Sequence, residues 1–385
     1  MSSIMKKDDP RPLILHVLHA LHIGGMENGL VNLVNHLPAT DYRHAIVCIE
    51  DYSPSFAARI TRPEVSLTAL HRSRIGVWRM RRALYALIRE MRPSLVHTRN
   101  LSGLDALLPA RLAGVPCMHS EHGWDVDNLR GQAFKPRLLR RLHRPLVAHY
   151  IAVSNDLGRY LTQALGVPQE DVSCIHNGVD TGRFHPAPAP ERTLLPEAFR
   201  DPARMIIGTV GRLQAVKDQA TLLRAFAALL AEHPGAPPAL VIAGEGPLEA
   251  DLKALAVSLG VEPHVWFAGP SDRIPELLRG LDVFVLPSLN EGISNTLLEA
   301  MASGLPVLAT QVGGNVELVK EDTEGRFFAP GDVPRLSNML AAYLHSPDLR
   351  HRHGQAARLR VERQFSLAAM MGAYSNVYAR VLQRA

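Results

Sequence analysis

Short apolar or β-branched runs alternate with helical patterns along this whole chain, and that alternation limits its fold more than any other feature. In the first half the strand-like runs are 13-LILHVLH-19, 45-AIVCI-49, 66-SLTAL-70, 95-LVHT-98, 116-PCMHS-120, 149-HYIAVS-154 and 172-VSCIH-176. Amphipathic stretches such as 104-LDALLPARLAG-114 and 156-DLGRYLTQALG-166 fill the gaps. The second half repeats the plan with 205-MIIGTVG-211, 239-ALVIAG-244, 264-HVWFAG-269, 282-DVFVLP-287 and 305-LPVLAT-310. Strands separated by helices imply βαβ units, hence parallel sheets covered on both faces. The predicted fold class is therefore α/β, with two doubly wound Rossmann-like domains.

A chain of 385 residues is long for one core, which agrees with two domains. Between the halves, 181-TGRFHPAPAPERTLLPEAFRDPAR-204 holds five prolines and little periodicity, the composition of a linker. The expected division is a first domain at 1–185, a Pro-rich linker at 186–203 and a second domain at 204–365. A C-terminal helix at 366–385 could cross back to the first domain. Two such domains would face each other across a cleft, with their strand C-termini lining it.

Charge is unevenly placed. Residues 1–185 carry 23 Lys and Arg against 16 Asp and Glu, or +7; the remainder carries 19 against 21, or −2, which together give the net +5. A basic first half suits an anionic partner: a phosphate, a lipid head group or, least well, a nucleic acid, for which no binding motif is present. The N-terminal MSSIMKKDDPRP has no apolar core of a secretory signal, and no apolar run approaches the roughly 18 residues of a spanning helix. Cys48, Cys117 and Cys174 form no CxxC pair and read as small buried hydrophobes in a reducing compartment. The expected location is the cytoplasm. His16, His19 and His22 recur every third residue, but in a strand that spacing alternates faces, which argues against a metal site.

If ligands bind at strand C-termini, the loops there carry the chemistry. After the first strand, Gly24 and Gly25 with Glu27 and Asn28 open a helix at 26–37, either as a plain tight turn or as an approach to a phosphate. His122 follows the run 116–120 and stands before a glycine. In 211-GRLQAVKD-218, Arg212 and Lys217 offer a planar fork and a point charge, a combination suited to a diphosphate. The turn 244-GEGP-247 contributes Gly244, Glu245 and Gly246. In 288-SLNEGIS-294, Glu291 precedes a helix at 295–302 with Ser294 as its N-cap, and Glu299 lies further along the same helix. The N–H groups near Asn295 and Thr296 are then placed to meet an anion. The Ser303-Gly304 pair ends the helix.

Glu291 and Glu299 in E-x7-E spacing, with 211-GRLQAVKD-218, 244-GEGP-247, 24-GG-25, 153-VSN-155 and 176-HNGVD-180, resemble the retaining glycosyltransferases of family four, which have the GT-B architecture. The resemblance runs from about residue 13 to 380. More narrowly, 24-GGMENGLVNLVN-35, 96-VHTRN-100 and 286-LPSLNEGISNTLLEAMASGLPV-307 are similar to sugar transferases of bacterial exopolysaccharide clusters, including those accompanying exosortase-type (PEP-CTERM) protein sorting.

The resemblance implies that a UDP- or GDP-linked sugar binds the second domain, with no cofactor and no metal. Arg212 and Lys217 would neutralise the leaving diphosphate, Glu291 would hold sugar hydroxyls, and Glu299 the ribose. Gly292, Ile293, Ser294, Asn295 and Thr296 would supply donors to phosphate and sugar. Gly244 to Pro247 would help hold the base, Gly24 and Gly25 would approach the diphosphate or acceptor, and His122 would stand near the reacting sugar. The acceptor would be a glycan or a polyprenyl-diphosphate-linked sugar, chosen by loops such as 51–75 and 123–136.

The basic segment 72–92 admits a solvated helix face or a contact with anionic membrane through Arg79, Arg81 and Arg82. Three other functions fit parts of the pattern: a nucleotide-sugar epimerase of the same architecture, a phosphorylase using pyridoxal phosphate, and a nucleotide-sugar-binding protein without catalysis.

Overall fold

A computed structural model describes residues 9–123, 133–235 and 237–384. The chain divides into two compact units, Met1–Asn177 with Leu367–Ala385, and Gly178–Ser366.

In the first unit seven strands run β1 (Leu13–Leu18), β2 (Arg43–Cys48), β3 (Ser66–Ala69), β4 (Leu95–Arg99), β5 (Cys117–Glu121), β6 (His149–Ala152) and β7 (Val172–Cys174). They form one sheet in the order β3-β2-β1-β4-β5-β6-β7, and every pairing is parallel. Both faces are covered, so β1 is buried end to end, as its near-continuous apolar run requires. Alternate residues of β1 serve opposite faces. Leu13, Leu15 and Val17 pack with Met80, Leu84 and Ile88 of the helix Val77–Met91, and with Leu107 and Ala110 of the helix Leu107–Leu112. Ile14 packs with Leu33 and with Met370, Tyr374, Val377 and Tyr378 of the C-terminal helix Leu367–Arg384. That helix therefore belongs to the core of the first unit.

The second unit holds β8 (Ile206–Val210), β9 (Ala239–Ala243), β10 (Val265–Gly269), β11 (Val283–Leu286), β12 (Val307–Thr310) and β13 (Gly325–Phe328). Their order is β10-β9-β8-β11-β12-β13, again parallel. Helix Gln219–Glu232 supplies Leu222, Leu223, Phe226 and Leu229 to its core. In both sheets the strand order reverses beside the first strand, at β1/β4 and at β8/β11, which is where loops splay apart and leave room for a ligand.

Two expectations need correction. Residues 186–203 are not a free linker: Leu195 and Phe199 are buried, and Arg192 reaches Asp282 at 2.8 Å, so apolar burial and an ion pair hold the segment on the second unit. Cys48 and Cys117 are buried, but Cys174, at the end of the edge strand β7, is exposed. In the segment 72–92 the apolar stripe Met80, Leu84 and Ile88 faces the core, and only Val77 and Trp78 at its start are left to solvent among its large apolar side chains apart from Tyr85. The strand β13 was not anticipated, because GRFF is short and opens on glycine. No helix among the described residues is long and apolar enough to cross a membrane.

Candidate active site

In the second unit, β8 leads into Gly211–Asp218 and β11 into Ser288–Ser294, on either side of the reversal in strand order. The two loops are tied by a backbone bond from Leu289 N–H to the Val216 carbonyl, 2.8 Å. Lys217 ends a 3₁₀ turn, and its Nζ stands 2.5 Å from Glu291 Oε1. Ser288 Oγ donates to the same oxygen at 2.6 Å. Two residues 74 apart in sequence thus share one point, half-shielded from solvent. Arg212 lies five residues before Lys217 on the same loop, with an exposed side chain. Asp218 takes a left-handed conformation (φ 44°) and caps the helix Gln219–Glu232 by accepting from Thr221, which makes the turn abrupt enough to present Lys217.

The helix Asn295–Ala302 begins where β11's loop ends. Ser294 is its N-cap, accepting from Leu297 N–H at 3.3 Å. Gly292, Ile293 and Ser294 form the approach, Asn295 and Thr296 the first turn, and Glu299 sits one turn in, part-buried. The partial positive charge of this helix N-terminus is therefore set on the loop that carries Glu291.

Gly244, Glu245 and Gly246 follow β9 and lie along the Arg212 loop. Leu213 N–H donates to the Glu245 carbonyl at 2.9 Å, and a Cβ on Gly244 (φ 132°) would collide with the Gly211 carbonyl. A fourth loop, after β12, went unrecognised in the sequence. A Cβ on Gly313 (φ 48°) would collide with the Glu291 carbonyl, and one on Gly314 with that of Gly292. Thr310 Oγ1 donates to the Ser288 carbonyl at 2.5 Å, and Asn315, fully buried, donates to the Thr310 carbonyl at 3.1 Å. The signal was available: 313-GG-314 follows a strand just as 24-GG-25 does.

In the first unit the helix Gly25–His36 opens after β1 with Gly24 as an extended N-cap. The Glu27 carboxylate folds over Gly24, in the space a Cβ there would need. Asn28 Oδ1 accepts from Arg59 at 2.5 Å. This loop thus gathers its own side chains around the helix start, a place where an anion is favoured.

His122 follows β5. Its backbone N–H donates to Asn100 Oδ1 at 2.8 Å, and Asn100 itself sits in the left-handed region (φ 51°) just past β4. Both ring nitrogens of His122 are buried with no hydrogen-bond partner among the described residues. Burial first, and the Arg99 guanidinium second, push its pKa down to about 3. The imidazole is neutral at physiological pH, able to donate from one nitrogen and accept at the other. Residues 124–132 of the expected acceptor loop 123–136 lie outside the described residues.

Behind His122 the sheet carries a buried polar band. His16 Nε2 and His44 Nδ1 are 3.0 Å apart, Arg99 Nη1 lies 3.2 Å from His16 Nδ1, and His97 contacts Tyr378 Oη at 2.8 Å and Ser120 Oγ at 2.5 Å. His16 is thus a core residue, and His22 pairs with Asp51 instead, so the three-residue histidine spacing assembles nothing.

Comparison with known proteins agrees with this architecture. The family model for glycosyl transferases group 1 matches residues 193–360, and that for glycosyltransferase family 4 matches residues 23–183. A UDP-Gal:alpha-D-GlcNAc-diphosphoundecaprenol alpha-1,3-galactosyltransferase of Escherichia coli is 30% identical over 67% of this chain and 68% of its own. A lipopolysaccharide core biosynthesis mannosyltransferase, LpcC of Rhizobium leguminosarum bv. viciae, is 32% identical over 66% of this chain and 69% of its own. The crystal structure of Anabaena HepE in complex with UDP-glucose superposes with a TM-score of 0.81 at 20% identity, covering 96% of this chain and all of that one (100%). Two doubly wound parallel sheets, each matched by a glycosyltransferase family model and joined in one chain that is 30% identical to a galactosyltransferase over two thirds of both, place this chain among the family 4 glycosyltransferases of GT-B fold.

Proposed function

We propose that this transferase moves a sugar from a UDP- or GDP-linked donor to a glycan or polyprenyl-diphosphate-linked acceptor, with retained anomeric configuration and without a metal or other cofactor. The observation that carries this reading is the Lys217–Glu291 pair, held between two strand-end loops beside the N-terminus of the helix Asn295–Ala302. Lys217 and Arg212 bring positive charge, and the helix start brings N–H groups, to one loop cluster, which suits a diphosphate leaving group. As the bond from the anomeric carbon to phosphate oxygen breaks, charge grows on the diphosphate, and donors fixed in place stabilise it without reorganising. The acceptor oxygen forms the new bond to the anomeric carbon, and its proton passes to the departing phosphate. Donor binding would release Glu291 from Lys217, leaving the carboxylate for sugar hydroxyls and the ammonium for phosphate. Glu299 takes the ribose, Gly244 to Gly246 the base, and the neutral His122 a sugar hydroxyl. Gly24, Gly25, Glu27 and Asn28 meet the acceptor or diphosphate.

We read the product as an exopolysaccharide, and the names of two similar proteins are in keeping with a cell-envelope glycan. One relative's acceptor is diphosphoundecaprenol-linked, and another serves the lipopolysaccharide core. With such an acceptor the enzyme would work in the cytoplasm, at the inner face of the plasma membrane. The test is nucleotide release from a panel of UDP-, GDP- and ADP-sugars in EDTA, with and without polyprenyl-diphosphate-linked acceptors. Acceptor-dependent release from one donor, lost in Lys217→Ala, is expected. Donor conversion without release would mean an epimerase, and tight nucleotide binding without turnover on any acceptor a binding protein.

A further inference from the structure

Helix Phe134–His143 is built inside out. Its one buried residue is Arg140, whose Nε donates to Glu121 Oε1 at 2.6 Å and Nη2 to Oε2 at 3.2 Å, at the end of β5. With about 100° per residue, Leu138 lies on the opposite side of the helix from Arg140, and Phe134 and Leu142 follow it at i−4 and i+4. These three side chains are 75%, 41% and 67% exposed in the order Phe134, Leu138, Leu142. Lys135 and Arg141 flank the stripe, and the helix contains no acidic residue. An ordinary surface helix turns its apolar stripe inward and its cations outward. Here an ion pair anchors the helix and the apolar stripe faces out.

Neighbouring helices expose further apolar side chains. The turn Arg144–Leu146 packs on the helix Leu107–Leu112, where Leu112 is 68% exposed next to Arg111. That helix packs on Val77–Met91, at whose start Trp78 is 80% exposed, between the exposed Val77 and Arg79. All three helices lie on the same face of the first sheet.

We propose that this face docks on an anionic lipid bilayer, with Phe134, Leu138, Leu142, Leu112 and Trp78 entering the headgroup boundary and Lys135, Arg79, Arg82 and Arg111 meeting lipid phosphates. The charge pattern selects the occupant. A twofold contact between copies would set the same cations against each other, whereas an anionic surface complements all of them. The inference deepens the membrane-side reading of the acceptor given above, but its test needs neither donor nor acceptor.

Full-length protein is to be sedimented with phosphatidylcholine vesicles, with and without phosphatidylglycerol. Binding only to the anionic vesicles is expected. Phe134→Ser combined with Leu142→Ser should lower the bound fraction by about tenfold or more at unchanged Tm. Leu138→Gln is a milder second variant, expected to weaken binding in the same direction. Arg79→Ser with Arg82→Ser should weaken binding most at low salt; Arg81 is left intact, because it pairs with Asp105 at 2.6 Å. Failure of the wild type to bind anionic vesicles, or equal binding by folded variants, would overturn the proposal. So would a dimer in sedimentation velocity that the double variant abolishes. Nucleotide release measured without vesicles tests the transferase reading separately, so the two can fail independently.

Discussion

At the residue scale, the proposed chemistry rests on side chains that distant loops bring together. Lys217 and Glu291 meet only because β8 and β11 are neighbours in the sheet. Lys217→Ala is expected to lower kcat/KM by about 10²–10³-fold, the 2.7–4 kcal/mol typical of a lost charge-stabilising donor. Steady-state rates on the preferred donor check this, and an unchanged kcat/KM would remove Lys217 from the site. Gly313 is an independent probe. A Cβ there would strike the Glu291 carbonyl from a left-handed backbone, so Gly313→Ala must push the Glu291 loop aside. Its expected signature is a raised donor KM with stability lowered by more than about 1 kcal/mol; a donor KM equal to wild type would show that the loop's position does not matter. Glu291 and Lys217 were legible from the sequence as chemistry-bearing types in strand-end loops. Gly313, Ser288 and Asn315 were not, because their work is to hold other residues' backbone.

At the scale of elements, local chemistry was the better guide. Helix Asn295–Ala302 begins and ends where its cap and Ser303-Gly304 indicate, since capping is settled by a few adjacent residues. Ser294→Ala should destabilise the second unit by about 1 kcal/mol, read as a urea midpoint shift, and Ser294→Thr should restore most of it. Equal midpoints for Ser294→Ala and wild type would mean the cap hydrogen bond contributes nothing. The basic segment 72–92 and the helix Phe134–His143 show the opposite case. Both are amphipathic on paper, yet one buries its apolar stripe and the other exposes it. The deciding partner of the second is Glu121, 19 residues away, which draws Arg140 inward.

At the scale of the molecule, the C-terminal helix completes the first unit's core, and Tyr378 supplies a partner to His97. Deleting 367–385 is expected to expose that face and make the first unit protease-sensitive while the second resists; equal resistance of both would contradict the packing. Acid lability follows from the buried band. His16, His44 and His97 are held below the ordinary histidine range mainly by burial, as is His122. Unfolding frees each to bind a proton once pH drops below about 6.5, so stability is full above that value and is lost as pH falls toward the depressed native values. Each such histidine contributes a slope of about 1.4 kcal/mol per pH unit in that window. Calorimetry from pH 7.5 to 5 should show the first unit's transition falling steeply below 6.5; a flat Tm would mean these imidazoles are not desolvated. Glu121 acts in the same direction at lower pH. Burial alone would raise its pKa, but the hydrogen bond from His119 and the charge of Arg140 bring it to about 2, so its contribution is lost as pH falls from about 4.5 through that value.

The sequence alone determined the parallel α/β class, nearly all of the strands and the loops that carry charge, because periodicity, capping and glycine turns are read from residues close along the chain. Tertiary structure decided the rest. It placed the Pro-rich segment on the second unit, the last helix on the first, His16 in the core beside His44, and the leucines of Phe134–His143 in solvent. Each of these depends on a partner far away in sequence: Asp282 for Arg192, His97 for Tyr378, His44 for His16 and Glu121 for Arg140. A local pattern shows what a side chain can do, and only the packed neighbour settles whether burial, pairing or exposure has the lowest free energy.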